Sequence, residues 1–438
     1  GYLNRPEMAS NRLCKTSIGV FIQRYGSLAE DNDGWDMPTR ELMALLAATA
    51  PQLQSLLYQE SGQPSVCMSS AFSAALSQLS QLTSLSLNFH VALVTTAQVD
   101  AMVQGLPSLQ YLDLTGGRNF LTDGFPVGIA TSCSQLQHLQ VWGAYKTRPP
   151  PELGCLTRLT SLKLGFISHS IPASISHLTA LRDVEMYNCY GFTELPEQLW
   201  NLESITRLCL STEDYSLTRS ISRLTALHNL TLSRGSCYAL PVELTACRQL
   251  THLPLGSDAV SPVLARLQSL RSLSVTHGHQ LPYSLYWTEL VGLTQLRVHV
   301  YSDGVLQFSG ISGMTSLRKL VLRGSIELPG GPYISRLQSL SLLESRDYRA
   351  GPPALQGAAQ LQTLAFTPPN GFISYDDDDD AAFVISLPAA LKTLTLIHAE
   401  MLHVTAEEWN QRVSHLRAAF IAQGRVPPVI RGNQIIVP

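Results

Sequence analysis

One short pattern, L-x-x-L-x-L, recurs along nearly the whole chain and limits its possible folds more than any other feature. Clear copies begin at Leu82, Leu109, Leu136, Leu159, Leu181, Ile205, Leu227, Leu250, Leu270, Leu317, Leu361 and Leu391. Weaker copies begin at Leu53, Leu296 and Leu340, and the copy at Leu296 is one residue short. Fourteen periods separate the first start from the last, so the mean period is about 24 residues. That period is typical of proteins built by stacking one small unit many times.

The spacing within the pattern has a direct structural meaning. Its last two apolar residues are two positions apart, so they lie on one face of a short β-strand. A second apolar cluster between strands, such as residues 171–178, predicts a turn followed by a short helix or 3₁₀ segment. One unit cannot bury its own apolar face, whereas stacked units share a continuous core and add their strands edge to edge.

These copies resemble the leucine-rich repeat family over roughly residues 40–400. The resemblance implies an α/β fold, a leucine-rich repeat solenoid shaped as a curved horseshoe. A parallel β-sheet would line its concave face, and short helices or 3₁₀ turns its convex face. The central copies look like the plant-type subclass, as in Ser170–Ile175, Glu194–Leu199 and Ala239–Leu244. The early copies are longer and look like the helix-bearing repeats of F-box-type proteins, as in Leu45–Pro51 and Gly128–Cys133.

The chain departs from the family at one position. Eight residues after the first leucine the family places Asn or Cys, which bonds the backbone of the loop. In seven consecutive copies, only the residue Cys189 fits this rule. We therefore expect less regular turns, whose backbone groups pair with water or with each other. The residues at this position in the seven copies are His90, Gly117, Ala144, Ile167, Cys189, Glu213 and Gly235.

The two ends of the chain differ from the repeats. Residues 1–37 hold no complete copy and are interpreted as an N-terminal cap or degenerate first repeat, with a strand around Val20 and Ile22. Residues 38–400 form the solenoid of about 15 repeats. Residues 401–438 form a C-terminal capping helix and tail, because Thr405 suits an N-cap and Gly424 suits a helix end. The apolar stripe of this helix is Trp409, Val413, Leu416 and Phe420, and the tail Gln434–Val437 is interpreted as a final strand.

Composition excludes several classes of function. Thirty basic and 33 acidic side chains leave a net charge of −3, which argues against a groove for nucleic acid. No uncharged stretch is apolar enough to predict a membrane span. The eight cysteines include no C-x-x-C pair and are interpreted as free, mostly buried thiols. With a single glycosylation sequon at Asn229, these features favour an intracellular protein, cytoplasmic or nuclear.

The sequence contains no motif that indicates a class of enzyme. The nucleophile-elbow, zinc-protease, P-loop and dinucleotide-binding motifs are absent from the sequence. His398 and His403 are five residues apart, so they do not share a helix face and do not predict a metal site. The run Asp376–Asp380 is interpreted as a solvated loop because adjacent carboxylates repel each other. The sequence predicts no catalytic residue, cofactor or metal.

The strand pattern identifies where a partner would bind. Positions three, five, seven and eight of each copy are expected to face the concave surface, and several neighbouring copies place a large aromatic residue there. Aromatic residues amid a few charges are typical of protein interfaces. The competing interpretation is that these rings lie on neighbouring leucines or on one another. The candidate partner-binding residues are Phe89, Tyr111, Asp113, His138, Trp142, Lys163, Phe166, Asp183, Glu185 and Tyr187.

The sequence thus predicts a non-catalytic scaffold that binds a protein partner on its concave face, with a hot spot at Tyr111, Trp142, Phe166 and Tyr187. Three alternatives stay open: a substrate receptor of a ubiquitin ligase without a visible F-box, a GTPase-activating repeat protein, and a receptor ectodomain. A second cluster is charged and is interpreted as a solvated face. It comprises Lys319, Arg323, Glu344, Arg346 and Asp347.

Overall fold

The protein is described from a computed structural model, in which the chain divides into two compact units, Met8–Leu250 and Thr251–Pro438. The two units are described one after the other. The structure describes residues 19–23, 53–59, 73–74, 76–89, 94–117, 120–121, 123–144, 147–167, 171–189, 195–212, 217–232, 240–256, 261–277, 287, 289–300, 306–307, 309–324, 326–328, 330–343, 355–367, 384, 387–396 and 406–432.

The first unit is a run of parallel strands in which each strand pairs with the strand of the next repeat. Every copy from Leu53 to Leu227 forms one strand, and a strand without a complete copy precedes them, as predicted around Val20 and Ile22. The strands are β1 Gly19–Gln23, β2 Ser55–Gln59, β3 Ser84–Phe89, β4 Tyr111–Gly116, β5 His138–Trp142, β6 Ser161–Gly165, β7 Asp183–Cys189, β8 Arg207–Thr212 and β9 Asn229–Leu232.

The leucines of the pattern form the core. In β4, Leu112 and Leu114 are fully buried, whereas Tyr111 and Asp113 point to the other side and are half-buried. The same alternation recurs along the unit, because successive strand residues point to opposite faces. Each buried leucine contributes about 1.5–3 kcal/mol of hydrophobic stabilisation, so the stacked core is the main favourable term.

The segments between strands confirm that the repeats are of two types. The early repeats carry α-helices, α1 Thr96–Val103 and α2 Val127–Ser132, and a capping box of Thr95 and Gln98 begins α1. The plant-type repeats carry 3₁₀ segments, and a proline precedes four of them. Proline suits this place because its ring fixes φ at about −65°, the value that the chain adopts just before these segments. The 3₁₀ segments of this unit are Pro151–Cys155, Ala173–His177, Glu197–Asn201, Arg219–Arg223 and Val242–Ala246.

The turns after the strands lack the asparagine ladder, and their backbone groups pair with the neighbouring repeat instead. The Gly117 N–H donates to the carbonyl oxygen of Phe89 at 2.9 Å, and the Phe166 N–H to that of Tyr187 at 2.8 Å. Cys189 is buried, and its thiol lies 3.8 Å from the carbonyl oxygen of Leu164. Cys189 therefore bonds the backbone of the neighbouring repeat.

The second unit continues the pattern with parallel strands and 3₁₀ segments of its own. Its strands are β10 His252–Leu255, β11 Ser272–His277, β12 Gln295–Val300, β13 Leu306–Gln307, β14 Lys319–Arg323, β15 Ile326–Glu327, β16 Ser339–Leu343, β17 Thr363–Phe366, β18 Thr393–Leu396 and β19 Val429–Gly432. Strands β13 and β15 pair with each other. Each of the other strands pairs in parallel with the strand of a neighbouring repeat. The 3₁₀ segments are Pro262–Arg266, Ser309–Gly313, Pro332–Arg336 and Leu355–Gly357.

The strand register corrects two of the predicted repeat starts. Leu296 aligns with Leu273, the second leucine of its copy, so the copy at β12 begins at Leu293 and is not short. Leu340 aligns in the same way with Leu320, so that copy begins at Leu337. The predictions were wrong because the first two leucines of the pattern are three residues apart, and either one can be mistaken for its start.

A helix and a short strand end the described chain. Helix α3 spans Ala406–Ala422 and buries Leu416 and Phe420, as predicted, while Val413 is half-buried. Gly424 follows in left-handed conformation (φ +69°), which favours glycine. The last described strand, β19, pairs with β18.

Several predicted features lie outside the described residues. They are the helix-bearing segment Leu45–Pro51, Thr405, the side chain of Trp409, His398, His403, Asp376–Asp380 and the tail Gln434–Val437. The predicted boundaries at residues 37 and 400 stay predictions. None of the helices in the described part of the chain has the length and apolar character needed to cross a bilayer.

Candidate functional site

The side of the sheet opposite the leucine core, here called the open face, carries all but one of the candidate residues. In-register pairing of β4 to β8 arranges positions three, five and seven of the repeats into three rows across the strands. Neighbouring strands are about 4.8 Å apart, so residues in one row are within reach of each other. The first row is Tyr111, His138, Ser161, Asp183 and Arg207; the second is Asp113, Gln140, Lys163, Glu185 and Cys209; the third is Thr115, Trp142, Gly165, Tyr187 and Ser211.

Three rings form an aromatic cluster. Trp142 and Tyr187 lie in the third row, and Phe166 follows Gly165 of the same row. The rings of Trp142 and Tyr187 are stacked, with centroids 5.2 Å apart and planes 23° apart. Phe166 meets both edge-on, at 6.4 Å from Trp142 and 5.9 Å from Tyr187. Both arrangements are favourable for aromatic pairs. The three rings therefore lie on one another, as the competing interpretation from sequence describes, and the partner-binding role of these residues stays a prediction.

Gly165 makes the stacking across the sheet possible. It lies in the row between Trp142 and Tyr187, and an added Cβ would be 2.9 Å from the indole ring. A side chain at this position would separate the two rings. The absence of a side chain lets Trp142 lie over β6 and reach Tyr187 on β7.

Phe166 has a backbone conformation that its side chain disfavours. Its φ is +62°, in the left-handed region, where other repeats place Gly143 (φ +94°) and Gly324 (φ +101°) at the same position. A residue with a Cβ costs about 1–2 kcal/mol there. That conformation directs the ring of Phe166 to the edges of Trp142 and Tyr187.

Phe89 was predicted to face the same surface, and that prediction is wrong. Its side chain is 4% exposed and its ring packs against Phe120 at 6.4 Å. Strand β3 extends through position eight, so the alternation continues and Phe89 points inward like Leu85 and Leu87. In the repeat of Phe166 the strand ends at Gly165, and the left-handed turn brings position eight out of the core.

A second ring contact lies in the first row. Tyr111 and His138 are stacked face to face, with centroids 4.4 Å apart and planes 2° apart. Burial and the nearby Lys163 lower the pKa of His138 to about 4, so this ring is neutral at pH 7. Burial and the Asp113 carboxylate raise the pKa of Tyr111 to about 12, so the phenol keeps its proton. The stack therefore adds no charge to the surface.

The charged candidates form a small network in the centre of the rows. Lys163 Nζ lies 3.7 Å from a Glu185 oxygen, and the Arg207 guanidinium lies 3.6 Å from Glu185 and 3.5 Å from Asp183. Asp113 accepts hydrogen bonds from Ser86 at 3.2 Å and Thr115 at 3.0 Å. Burial raises the pKa of Asp113, and these hydrogen bonds oppose the rise.

Four buried polar atoms of this surface have no hydrogen-bond partner among the described residues: His138 Nε2, Trp142 Nε1, Asp183 Oδ1 and Ser211 Oγ. A buried donor or acceptor without a partner costs about 1–3 kcal/mol. Such atoms are few in native proteins and call for a physical explanation.

Sequence reasoning missed two residues of this arrangement. Arg207 occupies position three of the copy at Ile205, so the rule that selected Asp183 also identifies it. Gly165 has no side chain and gave no signal, since its role depends on the ring beside it. Within the described ranges no cluster of His, Cys, Asp or Glu is arranged to hold a metal ion.

The repeated strand motif, the parallel register and the alternating 3₁₀ segments define a leucine-rich repeat protein with a polar and aromatic open face. No model of a known protein family matches the chain, and no curated protein matches it. Solved structures do resemble it. A leucine-rich repeat protein of Leptospira interrogans is 18% identical, with 86% of this chain and 84% of that chain covered and a TM-score of 0.48.

Two further solved structures also resemble the chain. An internalin of Listeria monocytogenes is 16% identical, with 73% of this chain and 82% of that chain covered and a TM-score of 0.44. The Arabidopsis receptor kinase HAESA, in complex with a peptide hormone and a co-receptor, is 16% identical, with 79% and 67% covered and a TM-score of 0.42. The assignment to the leucine-rich repeat class rests on the chain's own repeats and strand register.

Proposed function

We propose that the protein is a non-catalytic interaction module that binds a protein partner on the open face of its first unit. The observation that carries the proposal is the aromatic cluster of Trp142, Phe166 and Tyr187, assembled on the side of the sheet away from the core. The leucine core is complete without these rings, so folding alone does not explain their position.

The backbone of Phe166 supports a functional role for the cluster. Glycine occupies the left-handed position in two other repeats and would remove the strain. Strained residues that persist in a fold concentrate at binding and catalytic sites. Trp and Tyr are also the side chains that most often dominate the binding energy of protein interfaces.

The charged side chains beside the rings are suited to form the polar rim around an aromatic binding site. Lys163, Asp183, Glu185 and Arg207 are already paired with each other, so a partner meets a prearranged surface and loses less entropy on binding. The unpaired Nε1 of Trp142 supplies a donor for an acceptor on the partner after a small ring shift. The ubiquitin-ligase, GTPase-activating and receptor roles, and the intracellular location, stay predictions.

The test compares capture of proteins from the native source by three forms of the chain. The double variant Trp142→Ala, Tyr187→Ala removes the anchor. Val242→Ala is the control, because Val242 is 48% exposed on a 3₁₀ segment away from the open face. A protein identified by mass spectrometry after capture by the wild type and the control is then purified, and its affinity is measured by calorimetry.

We expect the double variant to lose about 2–4 kcal/mol of binding free energy, as hot-spot residues do. Gly165→Ala keeps all three rings but displaces Trp142, so it should also weaken binding. Circular dichroism checks that each variant is folded. Equal affinity of the double variant and the control for the purified partner would refute the site.

A further inference from the structure

Two arginine side chains of the second unit converge on one backbone oxygen. Arg318 Nη1 and Arg336 Nη1 each donate to the carbonyl oxygen of Thr315 at 3.4 Å, so the two nitrogen atoms are at most twice that distance apart. Arg318 directly precedes β14, and Arg336 ends the 3₁₀ segment that leads into β16. This arginine pair therefore lies between the 3₁₀ segments and the starts of the strands, and not on the open face.

Backbone carbonyl groups fix the two guanidinium groups but use only part of their donors. Arg318 Nη1 also donates to the carbonyl oxygen of Leu317 at 3.1 Å. The Nε and Nη2 atoms of both arginines have no hydrogen-bond partner among the described residues. A guanidinium carries five N–H donors in one plane, so each arginine keeps donors for another group. Arg336 is exposed and Arg318 is half-buried, so a ligand in solution can reach the pair.

No carboxylate in the described chain compensates the charge of the pair. The two segments that carry it, residues 309–324 and 330–343, contain no Asp or Glu, and neither arginine takes part in an ion pair. Like charges this close repel each other, and an anion bound between them offsets that repulsion. Of the charged face predicted from sequence, Lys319 and Arg323 are exposed on β14, and Glu344, Arg346 and Asp347 lie outside the described residues.

An earlier repeat has the same arrangement without the second arginine. Arg271 directly precedes β11, and its Nη1 donates to the carbonyl oxygens of Gln268 and Leu270 at 3.1 Å each. The residue before the first leucine of the next copy is Gly292 there, and a Cβ on Gly292 would lie 2.8 Å from Arg271 Nη1. Arg336 occupies that position beside Arg318. One arginine fixed by carbonyl groups therefore occurs in both repeats, whereas the second guanidinium distinguishes the pair.

We propose that Arg318 and Arg336 together bind a dianionic phosphate monoester. Guanidinium groups recognise phosphate oxygens through paired hydrogen bonds. A phosphate monoester has three acceptor oxygens and nearly two negative charges at neutral pH, so it can contact both arginines and offset their repulsion. A carboxylate has two oxygens and one charge, so it satisfies the pair less well. This site is distinct from the open face and goes beyond the function proposed above.

The test uses three synthetic peptides, Gly-Gly-X-Gly-Gly, in which X is phosphoserine, glutamate or serine. Their termini are blocked and they carry an uncharged fluorophore, so the central residue alone supplies charge. Anisotropy titrations at about pH 7.5, where the phosphate is a dianion, use the full chain and the variants Arg318→Gln and Arg336→Gln. Arg271→Gln is the matched control, because it removes the same charge and the same kind of carbonyl contact. Circular dichroism checks that each variant is folded.

We expect the phosphoserine peptide to bind most tightly and the serine peptide not to bind. Arg318→Gln and Arg336→Gln should each weaken binding of the phosphoserine peptide about 5-fold, the upper range of exposed ion pairs, with less than about twofold change for Arg271→Gln. Competition by inorganic phosphate separates two sources of the ligand. Phosphate that competes with an affinity equal to that of the peptide assigns the site to the free anion, and weaker competition assigns it to a phosphorylated protein; both results support the site.

Three results would overturn the proposal. They are the absence of saturable binding of the phosphoserine peptide, equal affinity for the phosphoserine and glutamate peptides, and an effect of Arg271→Gln equal to that of Arg336→Gln. Because no variant here alters the aromatic cluster, such a failure would leave the proposed function standing.

Discussion

The eighth residue of each repeat shows how one position can serve opposite purposes. Where the strand continues through it, as at Phe89, the ring is buried; where the chain turns left-handed, as at Phe166, the ring joins the aromatic cluster. The two residues have the same side chain and the same place in the motif. Backbone conformation alone decides whether the ring stabilises the core or stays on the open face.

Because the left-handed backbone at Phe166 is strained, we predict that the variant Phe166→Gly is more stable than the variant Phe166→Ala. Both substitutions remove the ring, but alanine keeps the left-handed strain and glycine relieves it. We expect a difference of about 1 kcal/mol in the free energy of unfolding, measured by urea denaturation. Equal stability of the two variants, or a more stable alanine variant, would show that the backbone of Phe166 is not strained.

At the scale of elements, Arg425 links the end of the C-terminal helix to the last leucine-containing repeat. The Arg425 guanidinium donates to the carbonyl oxygens of Val384 and Pro388, the latter at 2.7 Å, and lies 5.2 Å from the centre of the Phe420 ring. Stacked repeats need an element that covers the last core face. Arg425 fixes the end of α3 to the residues that precede β18, and the capping role of this helix stays a prediction.

We therefore expect Arg425→Met to destabilise the second unit. Methionine keeps an apolar contact with Phe420 but loses both hydrogen bonds from the charged group, a loss of about 1.5–3 kcal/mol. Arg417→Met is the control, because Arg417 is exposed on the same helix. Thermal unfolding followed by circular dichroism measures both, and equal melting temperatures would contradict the role given to Arg425.

At the scale of the whole molecule, stability is a sum of similar repeats and of the contacts between neighbours. A buried leucine therefore supports its own repeat and the two beside it more than distant ones. Leu162 on β6 is fully buried, between the repeats of β5 and β7.

We expect Leu162→Ala to cost about 2–5 kcal/mol, with the loss of amide protection concentrated in β5, β6 and β7 and small in β2. Hydrogen exchange with mass spectrometry resolves these strands. The control is Leu57→Ala, because Leu57 is 40% exposed on β2. A uniform loss of protection over the first unit would show a single cooperative unit instead of nearest-neighbour coupling.

The amino-acid sequence by itself determined the class of fold, the number of leucine-containing repeats and the helical or 3₁₀ character of the described connections. It could do so because a period of about 24 residues with two buried positions per strand has few physical solutions. Most of the open-face residues followed from the same alternation. Tertiary structure decided the starts at Leu293 and Leu337, the burial of Phe89 and the use of Gly165. Each of these depends on pairing with the neighbouring repeat, and a linear pattern does not contain that contact.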